Sequence, residues 1–244
     1  VRHHSYLDLV GGGDLGGFLG GERPRHVYFS AGRYDDPGAS SMGQKGWRGS
    51  DLVFDLDADH LPGVDPDETS YGDMLRACKD ALCRLLDILE SDFGFDDLEI
   101  VFSGGRGYHV HVRRSDVLGL GRAARREIVE YVLGDGIEFE DVVATRAVAG
   151  SAGRSSPAQK RSLPDGGWAG RTRERLDAFV SELLSMDEAD AIARLRTFEG
   201  IGEGKAKAAL NAAKNNREEL NRGNVDVHPA IFSVARLLFD DVIE

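Results

Sequence analysis

The stretch SDLVFDLDADHLP, Ser50 to Pro62, sets Asp55, Asp57 and Asp59 at every second position directly after an apolar run. Side chains of an extended strand alternate between faces, so Asp55 and Asp57 share one face with Cα atoms about 6.5–7 Å apart. Leu52, Phe54 and Leu56 share the other face and can anchor the strand in a core. Two neighbouring carboxylates repel each other, and a divalent cation between them relieves that repulsion. Oxygen ligands suit Mg2+ or Mn2+. Such a pair can hold one or two ions for in-line attack at a phosphate. Asp59 joins the same face only if the strand continues, and His60-Leu61-Pro62 argues that it stops. The plain alternative is a strand ending in solvated acids.

A second stretch, SGGRGYHVHV from Ser103 to Val112, supplies a complement. Gly104, Gly105 and Gly107 let backbone N–H groups approach a phosphate closely. Arg106 adds a planar, permanent cation. Past the turn, alternation puts His109 and His111 on one face and Tyr108, Val110 and Val112 on the other. A hydroxyl (Ser103), an arginine and a histidine around one turn can surround a triphosphate. A carboxylate face that binds metal and a turn that binds phosphates together make a nucleotidyl-transfer site. Taken alone, the turn is equally a tight hairpin with solvated His and Arg.

The elements that must position these groups follow from pattern. Arg25–Gly32 (RHVYFSAG) and Asp51–Asp57 read as strands, and Leu98–Val112 as strand, glycine turn, strand. His60–Ser70 is a loop by its Pro, Gly and Asp content. Ser70 with Asp73 resembles a capping box. A helix follows from about Tyr71 to Asp92, with Met74, Leu75, Cys78, Leu82, Leu85, Leu86 and Leu89 on one face and Gly94 as its stop. Another helix covers about Arg122 to Leu133. Gly150–Arg175 reads as a basic loop, and residues 176–221 read as helical, interrupted at Glu199–Gly204. The order predicts an α+β fold: a mixed catalytic core over residues 1–145, then a basic linker and mainly helical inserted or appended subdomain over 146–224. Residues 225–244 would begin the remainder of the core.

The chain has 244 residues, 41% of them hydrophobic, enough for one large domain or a domain with an insertion. No run of 18 apolar residues and no leader pattern occurs, which predicts an intracellular, cytoplasmic protein. Cys78 and Cys83 lie on different faces of one helix, so two buried free thiols are expected rather than a disulfide. The net charge of −12 would repel nucleic acid in general. Acid excess with only six lysines also suits a high-salt cytoplasm, where screening is short-ranged. Local basic clusters then matter more than the total.

The paired stretches DLVFDLDADHLP and VFSGGRGYHVHV resemble the small catalytic subunit of the archaeal and eukaryotic-type DNA primase. RHVYFSAGRY and the opening VRHHSY fit the archaeal branch, and the glycine- and acid-rich variant resembles those of halophilic archaea. The resemblance implies a DNA-directed RNA polymerase of the primosome that makes RNA primers on single-stranded DNA by two-metal nucleotidyl transfer, paired with a large primase subunit. It implies that Asp55 and Asp57 are the catalytic metal ligands. It implies likewise that Ser103, Gly104, Gly105, Arg106, Gly107 and His109 form the nucleotide-binding turn and that Arg2 matches an arginine facing the nucleotide. Three departures stand out. A third metal-binding aspartate on a late strand before an LIRLP-like run is not found; Asp226 in NVDVHP lies in the wrong context and is not assigned. The segment that precedes RHHSY in the family is absent, so the chain is expected to be clipped at both ends and to lack part of the site. A Cys/His zinc knob would need four ligands, and only His60, Cys78 and Cys83 lie in that region, so structural zinc is not expected.

Two rival readings share the first motif. A haloacid-dehalogenase-type phosphatase also ends an apolar strand in D-x-D and uses the first aspartate as nucleophile, but the Ser103–His109 turn would then go unexplained. A non-catalytic nucleotide- or partner-binding fragment fits the missing carboxylate. Elsewhere, FEGIGEGKAKAAL (Phe198–Leu210) resembles a helix-hairpin-helix loop that meets DNA phosphates, or an ordinary interhelical turn. Arg146–Arg175 carries seven basic and two acidic residues and could track a nucleic-acid backbone or be a solvated linker.

Overall fold

The computed structural model describes residues 15–148 and 158–243; Arg2 and the opening VRHHSY lie outside them. The architecture is α+β, with small antiparallel sheets and many helices. Two compact units divide the chain, Val1–Ile128 and Val129–Glu244.

In the first unit, helix α1 spans Leu15–Glu22, strand β1 Gly32–Tyr34 and strand β2 Trp47–Ser50. Strand β3 (Leu52–Asp57), helix α2 (Tyr71–Ser91), strands β4 (Leu98–Phe102) and β5 (Gly107–Val112) and helix α3 (Ser115–Leu118) follow, and helix α4 (Arg122–Leu133) begins in this unit and runs past its end at Ile128. Strands β3, β5 and β4 lie side by side in that order, both pairs antiparallel. The register puts Leu52 opposite Val112, Phe54 opposite Val110, and Asp55 opposite His109. Val110 and Val112 are fully buried and α2 covers that side, turning Met74, Cys78, Leu82, Leu85, Ile88 and Leu89 inward. The amphipathic spacing read from sequence is therefore the packing face of α2. Ser70 caps α2, its hydroxyl oxygen accepting from the Asp73 N–H at 3.2 Å. Past its end, the Phe95 N–H closes on the Leu89 carbonyl at 2.9 Å around Gly94.

Arg125 on α4 locks this unit. Its guanidinium donates to the carbonyls of Leu120, Asp51, Ser50, Val117 and Leu118 at 2.8, 3.0, 2.6, 3.0 and 3.4 Å. One side chain thus satisfies backbone acceptors from the β2–β3 junction and from the α3 region.

Two expectations are corrected here. Arg25–Ser30 is not a strand: a strand needs a ladder partner, and among the described residues this segment has none. Its Val27, Tyr28 and Phe29 are 60, 86 and 78% exposed. The chain pairs only from Gly32, against β2. Cys83 is exposed while Cys78 is buried, because a five-residue step on a helix turns about 140° away from the packing stripe.

The second unit holds helix α5 (Phe139–Val142), strands β6 (Ala144–Val148) and β7 (Ala158–Ser162), and helices α6 (Gly167–Ser185), α7 (Glu188–Leu195), α8 (Glu203–Asn215), α9 (Arg217–Asn221) and α10 (Pro229–Ile243). Its core is α6, α8 and α10, with Phe179, Leu183, Leu210, Ile231, Val234 and Leu238 buried. Alanines 206, 209 and 213 on α8 are buried and let its neighbours approach. The expected boundary at 145/146 falls inside this unit, and α10, expected to open the remainder of the core, packs on α6 and α8. The stretch read as a basic loop instead pairs in β7 and starts α6, because Trp168 and Thr172 are buried there and the Trp168 indole donates to the Tyr131 carbonyl at 2.9 Å. Among the described residues no helix is long and apolar enough to cross a membrane.

Candidate active site

The β3–β5 register decides which groups meet. Asp55 faces His109, and Asp57 faces Gly107. The carboxylates thus stand on the sheet face away from α2, beside His109 and His111. His109 Nε2 lies 3.2 Å from Asp55 Oδ1, with the two side chains 38% and 72% exposed. The pair Asp55/Asp57 and the turn Ser103–Gly107 therefore lie at one end of one sheet.

The turn itself is built by glycine and serine. Gly104 has φ of 81°, a left-handed conformation that side chains with a Cβ avoid. Ser103 Oγ accepts from the N–H groups of Gly107 and Gly105 at 3.2 and 3.4 Å. At Gly107 a Cβ would lie 1.9 Å from the Leu56 carbonyl oxygen, so only glycine lets β5 run this close to β3. The turn is tied on both sides: the Ala58 N–H donates to the Arg106 carbonyl at 3.2 Å, and the Tyr71 hydroxyl donates to the Gly105 carbonyl at 2.9 Å. Tyr71 is the first residue of α2, so the helix start and the turn are one unit.

Asp59 occupies a place that alternation does not foretell. The strand ends at Asp57 as expected, but a short helical turn over Ala58–His60 follows. Ala58 is fully buried against Met74 and Cys78, with Leu56, Leu61, Val64 and Tyr108 around it. Burying Ala58 swings Asp59 back to the glycine turn, where its Oδ2 meets Arg106 Nη2 at 2.7 Å. Its Oδ1 is buried with no hydrogen-bond partner. One ligand atom each from Asp57, Asp59 and His60 lies within 4.8 Å of the others. These three residues could together hold a divalent cation, with two oxygen donors among them. Asp55 is instead directed at His109.

Other candidates serve the scaffold. The Asp226 carboxylate accepts the Arg161 N–H at 2.9 Å, clasping β7 to the 224–226 segment. Lys205 bonds the Gly200 carbonyl at 3.2 Å and Lys207 pairs with Glu203 at 2.6 Å, so both lysines of the 198–210 turn are engaged within it. Burial, then the charge of Asp57, pushes the Cys78 thiol pKa up. Arg33 and Arg113 are drawn to Asp51, at 2.9 and 3.7 Å.

The family model for the DNA primase small subunit matches residues 54–198. The chain belongs to the DNA primase small subunit family. Among its curated relatives, the DNA primase small subunit PriS of Natronomonas pharaonis is 78% identical over all 244 residues, and that of Haloarcula marismortui 62%. The PriS of Methanococcoides burtonii is 39% identical over 241 residues, covering 93% of this chain and 60% of that protein. The chain spans 62% of the length of the first two. The match contains Asp55, Asp57, Asp59 and the whole Ser103–His109 turn, and it supports the primase reading rather than the phosphatase one.

Proposed function

We propose that this chain carries the nucleotidyl-transfer site of a DNA primase small subunit, extending RNA primers on a single-stranded DNA template in the cytoplasm. It would act in a heterodimer with a large primase subunit. The chemistry lies in the unit Val1–Ile128, and the mainly helical unit Val129–Glu244 is an appended part. The observation that carries this reading is the cross-strand pair of Asp55 and His109, at 3.2 Å, which brings the acidic strand and the glycine turn to one sheet face.

Asp55 and Asp57 are the metal ligands in this reading, with Asp59 and His60 close to Asp57. Bound there, Mg2+ or Mn2+ would polarise the α-phosphate and offset charge at the attacking and departing oxygens. The chain's own groups do the positioning. In this reading the β- and γ-phosphates lie against the Gly104–Gly107 turn, whose shape Ser103 fixes by accepting the Gly105 and Gly107 N–H groups. Arg106 gives one nitrogen to Asp59 and, at 43% exposure, keeps its other donors for phosphate oxygens. His109, held by Asp55 through Nε2, stands beside the triphosphate in this reading. No side-chain nucleophile is needed; the primer 3′-hydroxyl attacks and pyrophosphate leaves.

The test is titration of the chain with a fluorescent ribonucleoside triphosphate in Mg2+, together with primer extension after the rest of the family sequence is joined to it. Asp57→Ala should abolish extension and Arg106→Ala should weaken triphosphate binding. Undiminished extension by the first would remove Asp57 from the metal site, and unchanged affinity in the second would remove Arg106 from the phosphate cradle.

A further inference from the structure

From Val142 to Pro164 the chain has Arg146, Arg154, Lys160 and Arg161 and no acidic residue, although acids outnumber bases 42 to 30 overall. Within this run β6 and β7 form a two-stranded antiparallel ribbon, with Arg146 directly opposite Lys160 and Thr145 opposite Arg161. A single bridge from Ser162 to Asn224 is its one further strand-type pairing among the described residues. Ala144 to Ala147, Gln159 and Lys160 are exposed.

The two faces of the ribbon differ. Arg161 serves the fold: its guanidinium sits 3.7 Å from the centre of the Phe232 ring, and its N–H holds Asp226. Arg146 and Lys160 share the other face. Directly opposed residues have Cβ atoms about 4.5–5.5 Å apart, and like charges there destabilise the pair. Arg146 has no acidic partner among the described residues. Among the described residues Lys160 reaches only Glu219, at 3.8 Å. That carboxylate already takes Arg222 at 3.0 Å and the Asn224 amide at 2.7 Å. A two-stranded ribbon is marginal by itself, and a repelling pair on its solvent face weakens it unless an anion bridges the two cations.

We propose that the Arg146–Lys160 face of the β6–β7 ribbon docks on the phosphodiester backbone of double-stranded nucleic acid. The duplex in question is the primer–template helix made by the proposed reaction, and the identity of this partner rests on that reading. Among the described ribbon residues there is no aromatic ring on which an unpaired base could stack, as single-strand binders require. The ribbon offers cations for phosphates, which position a duplex without reading its sequence. A duplex also presents the denser charge, one per about 1.7 Å of axis.

The 244-residue chain is titrated with a labelled blunt RNA–DNA duplex and with a single strand of the same sequence, over a salt series in which circular dichroism shows it folded. Arg146→Gln with Lys160→Gln should weaken duplex binding and flatten the slope of log K against log salt by about 0.9 for each phosphate no longer neutralised. The melting temperature should hold or rise as the repulsion is removed, and Arg146→Lys should keep the affinity of the unsubstituted chain. An unchanged slope in the double variant, a weakening confined to the single strand, or no duplex binding by the unsubstituted chain overturns the proposal. Triphosphate binding is read in parallel. Its insensitivity to Asp57→Ala and Arg106→Ala would sink the polymerase site while leaving the ribbon result standing, and its survival in the ribbon variant keeps the two separate.

Discussion

Gly107→Ala is the sharpest probe of the candidate site, because one methyl group meets one carbonyl. The added Cβ would lie 1.9 Å from the Leu56 oxygen and 3.2 Å from Asp57 Cα, against a floor of 3.0 Å. The β3 and β5 backbones must therefore part by about an ångström at the register of Asp57, on strands normally about 4.8 Å apart. The shift cannot be absorbed at the strand end. The Ala58 N–H to Arg106 carbonyl bond and the Ser103 N–H to Gly107 carbonyl bond, at 3.2 and 3.0 Å, hold both sides of the position. Overpacking of this kind costs about 1–3 kcal/mol, and one broken ladder bond adds about 1 kcal/mol. The expected destabilisation is about 2–4 kcal/mol, read as a fall in the urea midpoint at unchanged slope. Displacing Asp57 by an ångström should also cost about a hundredfold in extension rate once the complete sequence is assembled. Gly105→Ala is the stability control, since its Cβ meets only Ser103 Oγ at 3.8 Å, and it should keep the urea midpoint of the parent. Equal behaviour of the two variants, or a Gly107→Ala chain as stable as its parent, would refute the argument that the close strand approach builds the site.

Three further outcomes follow from the same structure. Arg125→Ala strands carbonyls in the β2–β3 and α3 segments and should cost about 3 kcal/mol in urea unfolding, with Arg125→Lys recovering only part; a cost under about 0.5 kcal/mol would show the five hydrogen bonds to be idle. With a thiol-reactive chromophore at pH 8, exposed Cys83 should react at once and Cys78, buried and with its pKa raised, only on unfolding; two equally fast thiols would contradict the packing of α2. The Ser70 hydroxyl, then Arg76, holds the Asp73 carboxyl below the usual carboxylate range, so its contribution is present above the unfolded pKa and fades as pH falls through the folded one. Asp73→Asn should accordingly flatten the acid side of the stability–pH curve, and an identical curve would remove Asp73 from the cap.

Local pattern decides what is legible in the sequence. Strands β3 to β5 and helices α2 and α4 follow from alternation, helical spacing and a glycine turn, signals contained within a dozen residues. Arg25–Ser30 has the composition of a strand, but a strand also needs a partner, and composition does not name one. The start of α6 is hidden by its charges: Arg171, Arg173 and Arg175 give the stretch the composition of a loop, while Trp168, Thr172 and Leu176 on the same helix are buried.

The same division explains the site. Asp55 and Asp57 are legible because a period of two is a backbone property. Asp59 is not, because its position follows from the burial of its neighbour. Ala58 is small enough to sit at 0% exposure against Met74 and Cys78, and its fall into that pocket turns the chain and delivers Asp59 to Arg106. The signal that could have found it is the alanine rather than the acids: a small apolar residue between two aspartates at a strand end marks a point where the chain dives. If that cause is right, Ala58→Leu, which cannot enter the pocket without displacing Met74 or Cys78, should release Asp59 from Arg106 while β3 remains paired. Its nucleotide affinity should then change in the same direction as that of Asp59→Ala, and combining the two should add nothing. Independent, additive effects would mean that Asp59 reaches Arg106 by some other route than the burial of Ala58.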